Sequence, residues 1–401
     1  MLKGGVNMIA PKLRFKADDG NDFPDWEEKK INDIATCFAG ATPSTKIPEY
    51  WEDGTIQWMS SGEVNNGQIF ETEKRISKLG FDKCSTKMVK PNTVVIALAG
   101  QGKTRGMVAI TRTSLCTNQS LCAIETNTDI CDDYLYQYLQ LQYNNLRLIS
   151  SGDGTRGGLN LKLIGNYSVS IPSLSEQQKI ADFLSTIDTI IEKQRATVSA
   201  WEERKKGVMQ KLFSQEVRFK ADDGSDFPDW EEKRLEDVVE FLDEKRKPLE
   251  AGKRVAGKYP YYGASGIIDY VEDYIFDEEL ILLSEDGANI LDRNYRVCFL
   301  AKGKYWVNNH AHVMKAKKGN LNYFICEELE TFDYRKYNSG GAQPKLNQAS
   351  CRSIVVKIPS LPEQQKIADC LSALDTVIQK QKETLEKWQE LKKGLLQQMF
   401  V

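Results

Sequence analysis

Two histidines in 401 residues leave little from which to build a zinc site or a histidine-based catalytic centre. Nine cysteines, at 37, 84, 116, 122, 131, 298, 326, 351 and 370, form no C-x-x-C pair. Odd in number and scattered, they read as reduced cytosolic thiols rather than a disulfide framework. No apolar run approaches the ~20 residues needed to span a bilayer. The first ten residues lack the apolar core of a signal peptide, and Met8 can serve as the start codon. No long stretch is low in complexity. The expectation is a folded, soluble, cytoplasmic chain that stays off the membrane, long enough for two or three domains.

Net charge is also scarce, at −3. That value hides segregation. Residues 83–124 carry six Lys/Arg and no carboxylate, and residues 293–318 carry seven and none. An acidic block precedes the second run: Asp269, Glu272, Asp273, Asp277, Glu278, Glu279, Glu285 and Asp286. Such segregation creates local fields suited to a polyanion.

What the chain does have is a repeat of itself. Residues 14–30 read RFKADDGNDFPDWEEKK and residues 218–234 read RFKADDGSDFPDWEEKR, matching at fifteen of seventeen positions with an offset of 204. A second pair, IPSLSEQQKIAD from Ile171 and IPSLPEQQKIAD from Ile358, repeats at an offset of 187. The stretches between, 31–170 and 235–357, show little similarity. Near-identical ends with unlike middles mean a shared scaffold and separate specificities.

Each IPSL segment opens a long helix, running to Phe213 and to Phe400. Pro172 and Pro359 stop the preceding strand, because proline cannot donate to the ladder. Ser175 with Gln178 reads as a capping box, and Pro362 suits a first helical position. Apolar residues then recur every three or four positions: Ile180, Leu184, Ile187, Ile191 and Trp201 in the first copy, Ile367, Leu371, Leu374, Ile378 and Trp388 in the second. Stripes of that length need a partner, and each other is the expected one, as a coiled coil. Only four residues separate the first helix from the second start motif, and the second helix emerges from the domain that motif opens. Touching helices therefore run antiparallel, about a pseudo-two-fold axis.

The middles read as mixed α/β, with strands near 93–99, 107–111, 280–283, 295–300 and 353–358, and helices near 132–148 and 320–333. The expected fold class is thus α/β (α+β): two globular mixed α/β domains separated by two long antiparallel helices. The boundaries are a tail at 1–11, domains at 12–173 and 215–360, and helices at 174–214 and 361–401.

Three glycine-rich basic loops, at 100–106, 151–160 and 339–347, allow close backbone approach to phosphate and carry side chains that read base edges. Asn308, Asn309, His310 and His312, on a strand-like run after Trp306, form a groove-facing set with Tyr259, Tyr261 and Tyr262. Two other patterns are decoys. ALAGQGKT at 97–104 fits a relaxed phosphate loop, but turn and strand residues follow it where a helix is needed. His310-x-His312 points two imidazoles one way with no third ligand in view. No nucleophilic triad, paired-carboxylate, methyltransferase or helicase pattern is readable.

The FPDWE start motifs at 23–27 and 227–231, the IPSL-x-EQQKIA helix openings and the domain–helix–domain–helix order resemble the specificity (S) subunit of type I restriction–modification systems. The resemblance covers residues 12–400. It implies two target-recognition domains, each reading half of a bipartite, asymmetric double-stranded DNA site. It implies a helical spacer that fixes the gap and docks modification subunits, which methylate adenine with S-adenosylmethionine. Restriction subunits would supply ATP- and Mg²⁺-dependent translocation and cleavage. This chain would be non-catalytic, bind no cofactor, and assemble with two modification and two restriction subunits. Its DNA-facing residues would be Lys103, Thr104, Arg105, Arg156 and Asn160 in the first domain, and Asn289, Arg293, Asn308, His310, Gln343 and Lys345 in the second. Glu285-Asp286-Gly287 departs from the first domain's Ala99-Gly100-Gln101; the acidic pair would either repel phosphate or accept from a cytosine amino group. Two other readings compete with this one: a nucleotide-binding enzyme using 97–104, and a scaffold that holds partners without reading DNA.

Overall fold

The computed structural model describes residues 11–100, 102–150 and 158–400. Arg156 and Gln101 lie outside the described residues, as do most of the 151–160 loop and of the 1–11 tail. The chain forms two compact units. One takes the chain up to Arg195 together with residues from Thr384 onward; the other is Ala196–Glu383.

The two units repeat one topology in unlike sequences. In the first, a five-stranded sheet has the order Ala35–Ala39, Leu121–Thr126, Val94–Ala97, Val108–Thr111, Gln68–Ile69. A four-stranded sheet beside it runs Lys74–Ile76, Ile56–Met59, Leu115–Thr117, Met88–Val89. The second unit has Val239–Phe241, Ala311–Ala316, Leu280–Ser284, Cys298–Ala301, and then Gly266–Val271, Ala256–Gly263, Lys304–Val307, Phe276–Asp277. Central strands such as Val94–Ala97 and Leu280–Ser284 are buried along their whole length, which is why they read as unbroken apolar runs. Helices Asp132–Leu141 and Asn322–Glu330 carry their buried faces into the same cores.

A two-stranded ribbon closes each unit and explains the duplicated ends. Glu27–Lys30 pairs antiparallel with Ser168–Ile171, and Glu231–Arg234 with Val355–Ile358. The ribbon brings each start motif to the mouth of a long helix. There Arg14 donates from Nε and Nη2 to the fully buried Glu176 carboxylate at 3.0 and 2.8 Å, and Trp26 Nε1 donates to it at 3.2 Å. Gln177 is buried beside it; its amide oxygen accepts from the Cys131 backbone N–H at 2.8 Å and its Nε2 donates to the Pro172 carbonyl at 2.9 Å. The second unit copies the clasp with Arg218, Glu363, Trp230 and Gln364.

The helices are Leu174–Phe213 and Leu361–Met399. Each opens earlier than the capping-box reading has it, because the N–H groups of Glu176 and Gln177 already bond the Ser173 carbonyl, at 3.0 and 2.9 Å. Ser175 and Pro362 are therefore second helical residues. Gln178 does not cap; it reaches Asp182 at 2.8 Å.

Each helix is divided between the units, and within the second unit the two run antiparallel. Asp188 pairs with Lys392 at 2.6 Å in the first unit; Glu202 pairs with Lys382 at 2.6 Å and Lys205 with Asp375 at 2.7 Å in the second. As one number rises the other falls. The apolar stripe serves domain and helix together. Ile180, Leu184, Ile187 and Ile191 join the first core with Trp388, Leu396, Met399 and Phe400, while Ile367, Leu371 and Leu374 join the second with Met209 and Leu212. Ile378 is buried, and Trp201 stays partly exposed beneath the Arg204 guanidinium.

Candidate nucleic-acid interface

In each unit three separate segments meet beyond one end of the main sheet. In the second unit Glu285 N–H bonds the His310 carbonyl (2.9 Å), Leu346 N–H bonds the Glu285 carbonyl (2.7 Å) and Gly287 N–H bonds the Pro344 carbonyl (3.0 Å). The first unit makes the first two of these stitches with other residues: Leu98 N–H to the Ser120 carbonyl (2.8 Å) and Leu159 N–H to the Leu98 carbonyl (3.0 Å). The loops at 100–106 and 339–347 therefore do sit on comparable faces. A third segment, 118–120 in one and 308–310 in the other, completes each face.

Side-chain geometry sorts the DNA-facing residues read from sequence. Val94–Ala97 and Val108–Thr111 pair antiparallel, and of the described residues of the 100–106 loop between them Gly100, Gly102 and Gly106 have positive φ. Tyr143 Oη donates to the Lys103 carbonyl at 2.7 Å and Arg147 Nη1 to the Gly102 carbonyl at 2.8 Å. That anchoring leaves the Lys103 side chain in solvent, with Thr104 and Arg105 half-buried. No helix follows the turn, so the phosphate-loop reading lacks the N–H groups it needs.

Other side chains are taken up internally. Asn160 caps helix Leu161–Gly165 by accepting from Leu163 N–H at 2.9 Å. Asn308 is buried and accepts from His310 N–H at 2.8 Å, an Asx turn that Asn118 repeats with Ser120 at 3.0 Å. Asn289 closes the 289–295 turn on both backbone groups of Tyr295, at 2.8 and 3.1 Å. Arg293 sits in the left-handed region (φ 56°) and turns to the Glu330 carboxylate at 2.9 Å. His310, Gln343 and Lys345 are exposed. His310 pairs with Asp286 at 2.8 Å and Lys345 with Glu285 at 3.3 Å, so the acidic pair is engaged by neighbours within its own unit. Tyr261 belongs to the core, its Oη accepting from Leu249 N–H at 2.9 Å.

The two imidazoles do not share a strand face. His310 lies in the turn, while His312 is buried on strand Ala311–Ala316. Among the described residues no cluster of His, Cys, Asp and Glu is placed to hold a metal.

The second basic run makes a weaker field than its sequence promises. Lys302, Lys304 and Lys315 pair with Glu279, Asp277 and Glu278 at 2.8, 3.9 and 2.5 Å, and Arg296 pairs with Glu327 at 2.7 Å. Neighbouring strands bring the acidic block and the basic run together. Sequence reading missed the apolar rim of this face. The 263–266 turn joins two strands beside Asn308, and Ile267 and Ile268 after it are half exposed. Glycines at both ends of that turn were the available signal.

The family model for the type I restriction modification DNA specificity domain matches residues 24–198 and 228–387. The chain belongs to this family. The type I restriction enzyme MjaIX specificity subunit of Methanocaldococcus jannaschii is 25% identical over 407 residues, covering 93% of each chain. A putative type I restriction enzyme specificity subunit of Haemophilus influenzae is 38% identical over 142 residues, 35% of this chain and 36% of that one. The solved type I restriction–modification S subunit from M. genitalium superposes with a TM-score of 0.61 at 16% identity, covering 98% and 99% of the two chains. Each match falls on one of the units described except for its last three or four residues, and each begins inside a start motif. Among the described residues no helix is long and apolar enough to cross a membrane.

Proposed function

We propose that this specificity subunit reads a bipartite, asymmetric site on double-stranded DNA, with residues 12–173 and 215–360 as two target-recognition domains, one for each half-site. The observation that carries this is the three-segment face, joined by two matching backbone bonds in both units and dressed with unlike side chains: Lys103, Thr104 and Arg105 in one, His310, Gln343 and Lys345 in the other. The chain is the non-catalytic member of its assembly. The long helices set the gap between half-sites and dock two modification subunits, with two restriction subunits joining them. S-adenosylmethionine, ATP and Mg²⁺ act in those partners, in the cytoplasm.

Exchanging residues 31–170 for the same stretch of another family member is expected to change the methylated sequence in one half-site only, as read by methylome sequencing. A change in both halves, or in neither, refutes the modular reading. Lys103, exposed at the tip of its turn, is expected to meet phosphate. Lys103→Ala should weaken binding to all sequences alike and lower the log–log salt slope by about one. A loss confined to one base position would make it a base reader instead.

A further inference from the structure

Beneath its DNA-facing loops the second unit has a buried ionic cluster. His312 is 1% exposed. Its Nδ1 lies 2.7 Å from Asp243 Oδ2 and its Nε2 lies 2.8 Å from the Leu346 carbonyl. Neither a carboxylate nor a carbonyl has a proton to give, so both ring nitrogens donate and the ring is an imidazolium. Burial alone would push its pKa down, but the Asp243 carboxylate and the Cys351 thiol hold the proton and raise it to about 10. Asp243 is in turn fixed by Val313 N–H at 2.8 Å and Gln348 Nε2 at 2.8 Å. Arg246 spans Asp243 and Glu285 at 3.5 and 2.7 Å, and Glu285 lies 3.9 Å from His312 and 3.3 Å from Lys345.

Leu346 is the point of interest. It follows Gln343 and Lys345, and its carbonyl is where the imidazolium grips their segment. The first unit offers a comparison at matched positions. Sheet register places Cys122 opposite Ala39 in the first unit; in the second, the matching strand pair ends at Phe241 and Met314, and two residues further on Asp243 meets His312. The backbone stitches put Leu98 in the place of Glu285 and Leu159 in that of Leu346. There the segment rests on apolar contact and a backbone bond.

We propose that His312 is a positioning residue for the second half-site: as an imidazolium it ties the Gln343–Lys345 segment to the sheet beneath, a device the first half-site lacks. This rests on the half-site reading above. Loss of the proton leaves one of two acceptors without a donor, and the segment loses its fixed height over the duplex. The sign follows from the raised pKa. Against an ordinary value of 6.5, the contribution is complete below about pH 6.5 and is lost as pH rises through about 10.

The test uses the full chain assembled with its modification subunits. Duplexes are selected from a randomised library by the wild-type assembly, and binding is then compared for single-base changes in each half. From about pH 7 to about pH 10, where half of the imidazolium is lost, discrimination in the second half-site should fall about twofold, and further above that pH, while that in the first stays level. His312→Gln should show the same selective loss at neutral pH, and His312→Lys, which keeps a positive donor, should restore part of it. A second half-site level across this range, or a folded His312→Gln assembly that still discriminates there, overturns the proposal. If His312→Gln fails to fold, the wild-type pH profile decides alone. A wild-type assembly that discriminates in neither half would instead remove the half-site reading itself.

Discussion

Arg14→Ala is expected to destabilise the first unit by roughly 3–5 kcal/mol, the cost of leaving a buried charge without its partner. Glu176 is fully buried and sits on the first turn of the long helix. Arg14 gives it two hydrogen bonds and also donates from Nη2 to the Pro24 carbonyl at 2.7 Å. Without the guanidinium, the carboxylate keeps the Trp26 indole N–H alone among the described residues. It must then take up a proton or drag the helix mouth open. Glu176→Gln should cost less, about 1–3 kcal/mol, because it leaves no buried charge and Arg14 can turn to water. Asp18, which meets Lys179 in solvent, is the control, and Asp18→Ala should leave the transition in place. Urea unfolding of the full chain, with hydrogen exchange of the ribbon formed by Glu27–Lys30 and Ser168–Ile171, reads the effect. Arg218→Ala should move the other ribbon, Glu231–Arg234 with Val355–Ile358. If Arg14→Ala shifts stability by less than about 1 kcal/mol, the clasp is not what holds start motif to helix.

That clasp shows where sequence reading stops. The duplication, the α/β middles and the apolar stripes are visible because they are periodic or repeated. Arg14 and Glu176 are 162 residues apart and both charged, so each reads as surface until the ribbon brings them together. Their joint recurrence as Arg218 and Glu363 was the legible signal, but the helix opening was read through Ser175 and Gln178 instead, with no role for Arg14 or Glu176. The candidate interface divides for a similar reason. Asparagine caps helices and closes Asx turns with the same amide that reads adenine. Asn160 and Asn308 therefore look like base readers in a string, and the fold spends them on its own backbone. Lys103 could be placed because glycines on both sides mark a turn whose tip faces water. The basic run at 293–318 misled because strands pair residues distant in sequence, and its charges meet the acidic block across the sheet.

Phe400→Ala is the other substitution with a large expected cost, about 3–5 kcal/mol for emptying a buried aromatic site. The ring closes the second long helix, yet its neighbours belong to the first unit. It meets Tyr134 and Tyr138 with centroids 5.5 Å away and Trp26 at 6.4 Å, all near edge-to-face. Leu13 N–H bonds the Gln398 carbonyl at 2.9 Å, so the start of the described chain is stitched to the same helix end. Phe213 does the equivalent work in the second unit, with Trp230 at 6.4 Å and Phe324 at 5.5 Å. There the chain continues directly into the next start motif, so Phe213→Ala leaves the helix end covalently held. Phe400→Ala should free the last turns of its helix from Thr384 onward. Limited proteolysis should then cut within 384–399 while the rest of the chain stays intact, and hydrogen exchange there should quicken. With docking lost, the Lys392–Asp188 pair at 2.6 Å opens too, so Lys392→Ala added to Phe400→Ala should cost less than it does alone. Full additivity of the two, or an uncut helix end in Phe400→Ala, would mean that the helix is held by its stripe of Leu396 and Met399 without the aromatic cage.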